Sequence, residues 1–271
     1  MPEDPSALGD LPVEGLLFDL DDVLVPVHTV LQWQWAWRPN GLRLAPGHAQ
    51  AVLKRALKAW DRRRWSGLTG RAPPVTLDDL RTHLASTLDG LAGRPLPKEE
   101  SEAVVARFLR PSGPIESFPE VKPRLEAWRR AGLRLGVLTP LPLETARRIL
   151  RRAELDERLI LLTADDAAAT YPPAPAAFRS ATERLGTPRR KTAYVGDLFW
   201  SDVHAAARTG LRSILLDRRE LWPHVVEDRI LTLEALEATL WRPPASAGQV
   251  GGPTALEPTD PDDGLPRSPP G

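Results

Sequence analysis

A short apolar segment that ends in acidic residues constrains this chain more than any other feature of its sequence. Residues 13–18 have the length and composition of a buried strand, and Asp19 and Asp21 follow it directly. In an open α/β sheet, ligands bind at the carboxyl ends of the strands. Two carboxylates there repel each other unless a cation lies between them, and a hard divalent ion such as Mg2+ suits oxygen ligands. The pattern predicts a magnesium site or, more simply, an acidic turn, since Asp is common in turns.

From residue 118 onward, short apolar runs alternate with helical patterns. Strands are predicted at residues 133–138, 158–162, 192–195 and 212–216, and helices at 121–131, 143–152, 176–185, 202–208 and 233–240. Such alternation is typical of an α/β fold, in which a Rossmann-like parallel sheet carries helices on both faces.

Between the first strand and residue 118 the patterns are helical only. Helices are predicted at residues 28–37, 48–64, 76–88 and 97–109, and the third should begin at a Thr76 cap. The second ends in Arg62, Arg63 and Arg64, which we interpret as a solvated helix end in preference to a surface that steers an anionic substrate.

These patterns predict four parts of the chain. Residues 1–12 form a flexible lead, residues 13–25 and 118–242 form the α/β core, and residues 26–117 form a helical segment inserted between the first two core strands. Residues 243–271 are rich in Pro, Gly and Asp and have almost no large apolar side chains, so we expect a disordered tail.

The motif Asp-Leu-Asp-Asp-Val-Leu at residues 19–24 resembles the first motif of the haloacid dehalogenase-like (HAD) hydrolases, Asp-x-Asp-x-Thr/Val-Leu/Val. The resemblance implies a HAD-like core and an all-helical cap at residues 26–117 that closes over the active site. It implies that Asp19 is the nucleophile on phosphorus and that Asp21 is the general acid/base, with Mg2+ as cofactor. A carboxylate can form a covalent phosphoryl intermediate, and a second carboxyl group can move the proton. Dehalogenases of the family replace the second Asp, so Asp21 favours phosphate chemistry.

The sequence Gly-Asp-Leu-Phe-Trp-Ser-Asp at residues 196–202 resembles the fourth motif of the same family. By this resemblance, Asp197 ligates the metal and Asp202 orients its coordination shell, which gives the expected metal set Asp19, Asp21, Asp197 and Asp202. Gly196 would let the backbone approach closely. For Asp202 alone, the capping of the following helix is an equally good interpretation.

The second and third motifs match less completely. Thr139 ends its strand as the family's second motif requires, which implies that its hydroxyl binds phosphate, although a helix cap is the simpler alternative. The third motif has a Lys before Pro-x-Pro-x-x-Phe, whereas this chain places Pro172 or Tyr171 at that position, depending on the residue used as anchor. Tyr171 can donate a hydrogen bond to phosphate but brings no charge. Lys191 lies at the opposite end of its strand and is no substitute.

Two functions therefore stay open. The first is a Mg2+-dependent phosphatase that hydrolyses a small phosphomonoester through an aspartyl-phosphate intermediate. The alternative is a catalytically weakened HAD-like protein that binds a phosphorylated ligand or a partner, because the Lys of the third motif is missing.

Composition restricts the remaining classes. The chain has 271 residues and a formal net charge of zero, so no global field favours nucleic acid or a membrane surface as partner. It has no cysteine, which excludes disulfides, thiolate metal sites and a cysteine nucleophile. No apolar stretch is long enough to span a bilayer, and we find no signal segment, so a cytoplasmic location is the default expectation. The expected partner is a small phosphorylated metabolite, and the sequence predicts no particular oligomeric state.

Overall fold

A computed structural model describes residues 11–26, 33, 36–37, 45–69, 76–109, 115–155, 159–163, 172–225 and 228–242. Its centre is a six-stranded parallel sheet with the order β3-β2-β1-β4-β5-β6. The strands are β1 (Gly15–Phe18), β2 (Arg134–Leu138), β3 (Ile160–Leu162), β4 (Thr192–Gly196), β5 (Arg212–Leu216) and β6 (Arg229–Ile230). The parallel sheet confirms the predicted fold class.

The helices of the described residues are α1 (Pro46–Leu68), α2 (Leu77–Ala92), α3 (Lys98–Leu109), α4 (Val121–Arg130), α5 (Leu143–Arg152), α6 (Pro175–Leu185), α7 (Ala205–Ala207) and α8 (Leu236–Leu240). Short 3-10 turns cover Arg189–Lys191 and Leu233–Ala235, and Phe199–His204 forms a π-helical turn that leads into α7. Of the helix predicted at 28–37, the described residues Trp33, Ala36 and Trp37 are helical.

Helices cover the two faces of the sheet because its central strands are apolar on both sides. On one face, Phe18 of β1 stacks on Trp128 of α4, with ring centroids 5.6 Å apart. On the other face, Leu17 belongs to a cluster with Phe178 of α6 and Tyr194 of β4. Strands buried on both faces are typical of parallel sheets covered by helices.

Helices α1, α2 and α3, together with the helical residues Trp33, Ala36 and Trp37, form a helical insert between β1 and β2 in the chain. The insert has a hydrophobic cluster of its own, in which Trp33 stacks on Phe108 with centroids 4.0 Å apart. At the start of α2, Thr76 and Asp79 form the reciprocal hydrogen bonds of a capping box, which confirms the predicted cap.

A separate apolar cluster joins the insert to the core. Leu57 of α1 packs with Phe199, Trp200 and Trp222, which lie on loops and turns beyond β4 and β5. Trp65 of α1 also contacts Trp200, with ring centroids 5.8 Å apart. One face of α1 therefore lies against the chain segment that follows β4.

The structure adds two features that the sequence did not predict. Strand β6 is only two residues long and pairs with β5, and the helix predicted at 202–208 begins earlier, as the π-helical turn at Phe199. Residues 1–10 and 243–271, where a flexible lead and a disordered tail were expected, lie outside the described residues. Among the helices that are described, none combines the length and apolar character needed to cross a bilayer.

Candidate active site

Three adjacent strands bring polar side chains to one edge of the sheet. Asp19, Thr139 and Asp197 are the first residues beyond β1, β2 and β4, which lie side by side. Phe18 is in register with Val195, and the Asp19 N–H donates to the Val195 carbonyl at 2.9 Å, which extends the ladder to the acidic residue. The carboxyl edge of the sheet is therefore where the predicted site residues meet.

Asp19, Asp197 and Asp202 form a carboxylate cluster in which one oxygen of each lies within 4.8 Å of the others. Burial, followed by the charge of Asp202, raises the pKa of Asp19 well above its usual range. Burial and the neighbouring carboxylates raise the pKa of Asp197 in the same way, and burial raises the pKa of Asp202 to about 6. Three oxygen donors that destabilise one another's charge are suited to a hard cation.

Gly196 allows Asp202 to reach this cluster. A Cβ atom at Gly196 would lie 2.7 Å from the Cβ of Asp202 and 2.9 Å from Cε1 of Tyr194. Asp202 lies within the π-helical turn, where its Oδ2 accepts a hydrogen bond from the Leu198 N–H at 3.3 Å. The expected close approach of the backbone at Gly196 is present.

Two arginines hold the turn that follows Asp19. Arg219 pairs with the buried carboxylate of Asp22, 2.6 Å from Nη2 to Oδ1, and the Arg218 Nε–H donates to the Asp22 carbonyl at 3.1 Å. Asp22 adopts a left-handed conformation with φ of 56°, which Asp tolerates better than most residues. Asp21 lies on this turn but outside the cluster of three carboxylates, so its role as a metal ligand stays a prediction.

Thr139 is buried at the same edge. Its N–H donates to the Leu162 carbonyl at 3.0 Å, and its hydroxyl oxygen accepts the Leu141 N–H at 3.4 Å. Helix α5 begins at Leu143 with Pro142 as its N-cap residue, so Thr139 is not its N-cap. Tyr171, the other predicted substrate-binding residue, lies outside the described residues, and the role assigned to it stays a prediction.

Arg64 of α1 is a member of the site that the sequence interpretation missed. Its side chain is only 7% exposed; Nη1 lies 3.6 Å from Oδ1 of Asp202, and Nη2 donates to the Pro172 carbonyl at 2.5 Å. The positive charge of Arg64 also lowers the pKa of Asp19, against the larger effect of burial. The interpretation of the arginine run as a solvated helix end is therefore wrong for Arg64.

Asp61, one turn earlier on α1, is fully buried and was also missed. Its carboxylate accepts the N–H groups of Trp200 and Ser201, at 2.9 and 2.7 Å. Burial raises the pKa of Asp61 in spite of these hydrogen bonds. The sequence contained a signal for this burial. Asp61 and Arg64 lie four and seven residues after Leu57, so they share the apolar face of the helix.

Tyr194 of β4 places a buried phenol next to the cluster. Burial, followed by the charges of Asp202 and Asp19, raises its pKa well above the usual value, so it stays protonated. Within the part of the chain that the structure describes, its Oη has no hydrogen-bond partner.

The comparisons of this chain with protein families and with known proteins both find hydrolases. A family model described as haloacid dehalogenase-like hydrolase matches residues 13–210. A phosphatase of Mycobacterium tuberculosis is 27% identical over 214 residues, which are 76% of this chain and 88% of that protein.

Two solved structures share the fold. The HAD-hydrolase YfnB from Bacillus subtilis bound to magnesium is 16% identical, has a TM-score of 0.65 and is matched over 84% of this chain and 98% of its own. L-2-haloacid dehalogenase from Xanthobacter autotrophicus is 15% identical and has a TM-score of 0.60. The match covers 83% of this chain and 97% of the dehalogenase chain. At such identities the two structures support the fold alone.

Proposed function

The chain belongs to the haloacid dehalogenase-like hydrolases, and from that premise we propose that it is a Mg2+-dependent phosphatase of a small phosphomonoester. The observation that carries the proposal is the position of Asp19, which lies at the carboxyl edge of the sheet within 4.8 Å of Asp197 and Asp202. The match to a mycobacterial phosphatase over most of both chains supports the same reaction class.

The donor set fits magnesium. Asp19, Asp197 and Asp202 offer carboxylate oxygens, the ligands that hard divalent cations prefer. Burial and mutual repulsion disfavour their ionised forms, and a cation held by them would reverse that effect. We assign these three residues as ligands and keep Asp21, two residues beyond Asp19, as a fourth. When bound, the ion would screen the repulsion between the anionic nucleophile and the anionic phosphate.

The chain's own residues then carry the two half-reactions. An Asp19 oxygen attacks phosphorus, the bond from phosphorus to the substrate oxygen breaks, and Asp21 gives its proton to that leaving oxygen. In the second half, Asp21 takes a proton from a water molecule whose oxygen attacks phosphorus, which releases phosphate and restores Asp19. Thr139 would hold the phosphate through its hydroxyl, and the fixed Asp19 N–H keeps the nucleophile in place.

Asp21 is the residue that favours phosphate over halide chemistry. Carbon–halogen cleavage releases a halide ion, which needs no proton, whereas an alkoxide leaving group needs an acid. Arg218 and Arg219 fix the turn that carries Asp21, and this would restrict the movement of the acid during proton transfer.

We further infer that the helical insert, at residues 26–117, is the cap of a core formed by residues 13–25 and 118–242. The contact of α1 with Phe199 and Trp200 supports this division, because both aromatic residues follow β4 at the carboxyl edge of the sheet. A cap over the site would suit a small phosphorylated metabolite in solution better than a macromolecular substrate.

The alternative is a weakened protein that binds a phosphorylated ligand or partner without efficient turnover. The specific observation behind it is the third motif, where Pro172 or Tyr171, neither of them basic, takes the position of the family's Lys.

Hydrolysis of an aryl phosphate by the purified chain, with and without Mg2+, tests the proposal. We expect metal-dependent turnover that is abolished in Asp19→Asn and preserved in Asp78→Asn, a control on the exposed surface of α2. Turnover that is equal in Asp19→Asn and wild type would overturn the proposal. Absence of turnover in wild type, together with a melting temperature raised by inorganic phosphate, would favour the binding protein.

A further inference from the structure

The α/β core concentrates negative charge at the proposed site. Asp19, Asp197 and Asp202 come from the core, and Asp61 of the helical insert adds a further buried carboxylate beside Asp202. A substrate phosphate would bring up to two further charges to the same place. Coulomb repulsion within a few ångströms is strong in a buried site, so positive charge besides a metal ion would favour binding of the phosphate.

Arg64 supplies such a charge from α1. Its guanidinium is 3.6 Å from Asp202, a distance at which the charges attract but no hydrogen bond forms. The other terminal nitrogen is fixed by the carbonyl of Pro172. The guanidinium thus has a defined orientation, and among the described residues Nη1 makes no hydrogen bond with Asp202, so its N–H groups can serve a ligand.

The position of the contact to Pro172 is informative. Pro172 is one of the two positions at which the family motif would place a Lys, and the Arg64 guanidinium reaches the backbone at that point from another part of the chain. The position of the motif Lys in the loop before α6 thus has no basic residue, whereas the Arg64 guanidinium lies in the same region.

The contacts of two neighbouring residues on α1 fix the position of Arg64. Asp61 accepts two backbone N–H groups at the start of the π-helical turn, and Trp65 packs on Trp200 of that turn. Since Asp61, Arg64 and Trp65 occupy one helical turn, the hydrogen bonds and the aromatic contact fix where the guanidinium lies.

We propose that Arg64 is the phosphate-binding cation of this site and that the helical insert, not the α/β core, supplies it. The inference rests on the proposed function and deepens it. It implies that the site is complete only while α1 is seated on the core. A planar guanidinium with two N–H groups directed to one side matches two oxygens of a phosphate, which a Lys ammonium does less specifically.

The experiment compares Arg64→Ala, Arg64→Lys and Arg64→Met with wild type. Arg63→Ala is the matched control, because Arg63 is the preceding residue of the same helix and pairs with Asp79 on the surface. Two quantities are measured for each variant: kcat/KM for an aryl phosphate with Mg2+, and the rise of melting temperature on adding inorganic phosphate. Guanidinium ion at non-denaturing concentration, matched in ionic strength with NaCl, tests chemical rescue.

We expect Arg64→Ala and Arg64→Met to lose about 10- to 200-fold in kcat/KM, the range for one charge-assisted hydrogen bond, and to lose the phosphate-induced rise. Guanidinium should restore part of the rate to Arg64→Ala, where space for it exists, and none to Asp19→Asn. Arg64→Lys should retain more activity than Arg64→Met. Arg63→Ala should match wild type in both measurements.

Other outcomes separate this inference from the proposed function. If wild type hydrolyses the ester and Arg64→Met does so equally well with an unchanged phosphate response, the inference fails and the function stands. A loss of rate without rescue and with the phosphate response intact also overturns it, since it indicates a structural role only. If wild type has no turnover but only the Arg64 variants lose the phosphate response, the phosphatase fails and Arg64 stands as the anion-binding residue.

Discussion

At the scale of single residues, the carboxylate cluster depends on the absence of a side chain at Gly196. A Cβ there would approach the Cβ of Asp202 to 2.7 Å, much closer than such atoms pack, and both belong to rigid parts of the backbone. We expect Gly196→Ala to displace Asp202 and to reduce the rise of melting temperature that Mg2+ causes, along with turnover. The unfolding free energy should fall by about 1–3 kcal/mol, the usual cost of overpacking a core.

Gly47→Ala is the control for this prediction. Gly47 lies in the first turn of α1, where a Cβ would meet no atom within 4 Å, and Ala favours the helix. Its Mg2+ response should equal that of wild type. An unchanged response in Gly196→Ala would mean that Asp202 does not need its present position.

The sequence was sufficient to predict the positions of residues that local context determines. Asp19 and Asp197 could be placed because an acid directly after an apolar strand is brought to the sheet edge by strand pairing alone. Arg64 and Asp61 could not, because their burial results from packing between the insert and a turn more than a hundred residues away in the chain. Three consecutive arginines at a helix end have the same local pattern whether or not one of them is covered.

At the scale of elements, α1 is joined to the core through polar as well as apolar contacts. Asp61 is the only acceptor that the structure gives for the Trp200 and Ser201 N–H groups among the described residues. We expect Asp61→Ala to lower the unfolding free energy by about 2–4 kcal/mol, because it leaves two buried donors without a partner. Urea unfolding measures the change.

Asp61→Asn separates the contribution of the hydrogen bonds to the unfolding free energy from the contribution of the negative charge. It keeps one acceptor oxygen, so its loss should be smaller than that of Asp61→Ala. Asp78→Ala, on the exposed side of α2, should change the unfolding free energy by less than about 0.5 kcal/mol. Equal effects of Asp61→Ala and Asp78→Ala would show that α1 is seated by its apolar contacts alone.

His83 links α2 to α1 by stacking on Trp60, with ring centroids 4.9 Å apart. Burial lowers the pKa of His83 from 6.5 to about 4. As the pH falls below 6.5, the unfolded chain therefore binds a proton that the folded chain does not, and stability is lost down to about pH 4. Between pH 7 and pH 5 this one group should cost about 1–2 kcal/mol.

We expect His83→Gln to lose less stability than wild type over that pH interval, by about the same 1–2 kcal/mol. Urea unfolding at a series of pH values gives the comparison, and the difference between the two proteins cancels the titration of the shared carboxylates. If the curves of His83→Gln and wild type are parallel, the ring is solvated in the folded protein.

Sequence patterns predicted the strands and helices that are long enough to show a period of apolar residues. Five strands and the helices of the core were predicted within a few residues, and so was the Thr76 cap. Strand β6 has two residues, too few for any pattern, and its place is set by pairing with β5. The turn at Phe199–His204 depends on Asp61, which binds its first N–H groups from outside.

At the scale of the whole molecule, a chain with no formal net charge contains a strongly acidic centre. Core strands contribute Asp19 and Asp197, the segment after β4 contributes Asp202, and the insert contributes both Asp61 and Arg64. The balance of charge at the site therefore depends on how the helical insert packs on the α/β core. The amino-acid composition does not reveal this packing.

In this acidic centre, folding is coupled to the protonation of the carboxylates and would be coupled to the binding of the proposed metal ion. Burial raises the pKa of Asp202 to about 6, above the value of 3.8 expected for the unfolded chain, so the folded protein holds a proton that the unfolded chain has lost. The contribution of Asp202 to the stability of the metal-free protein is thus largest below about pH 4 and declines as the pH rises through about 6. The proposed Mg2+ would bind the ionised carboxylates and so compete with those protons.

We therefore expect the rise in melting temperature caused by Mg2+ to be small at about pH 5 and to grow as the pH rises through about 6 and further, because Asp19 and Asp197, whose pKa burial also raises, hold protons as well. Differential scanning fluorimetry with Mg2+ or with a chelator, at constant ionic strength, measures this difference. In Asp202→Asn the rise should be reduced at every pH, and its dependence on pH should weaken, because the group that releases the proton near pH 6 is gone. A rise of equal size at pH 5 and pH 7 in wild type would mean that the metal does not bind at Asp202.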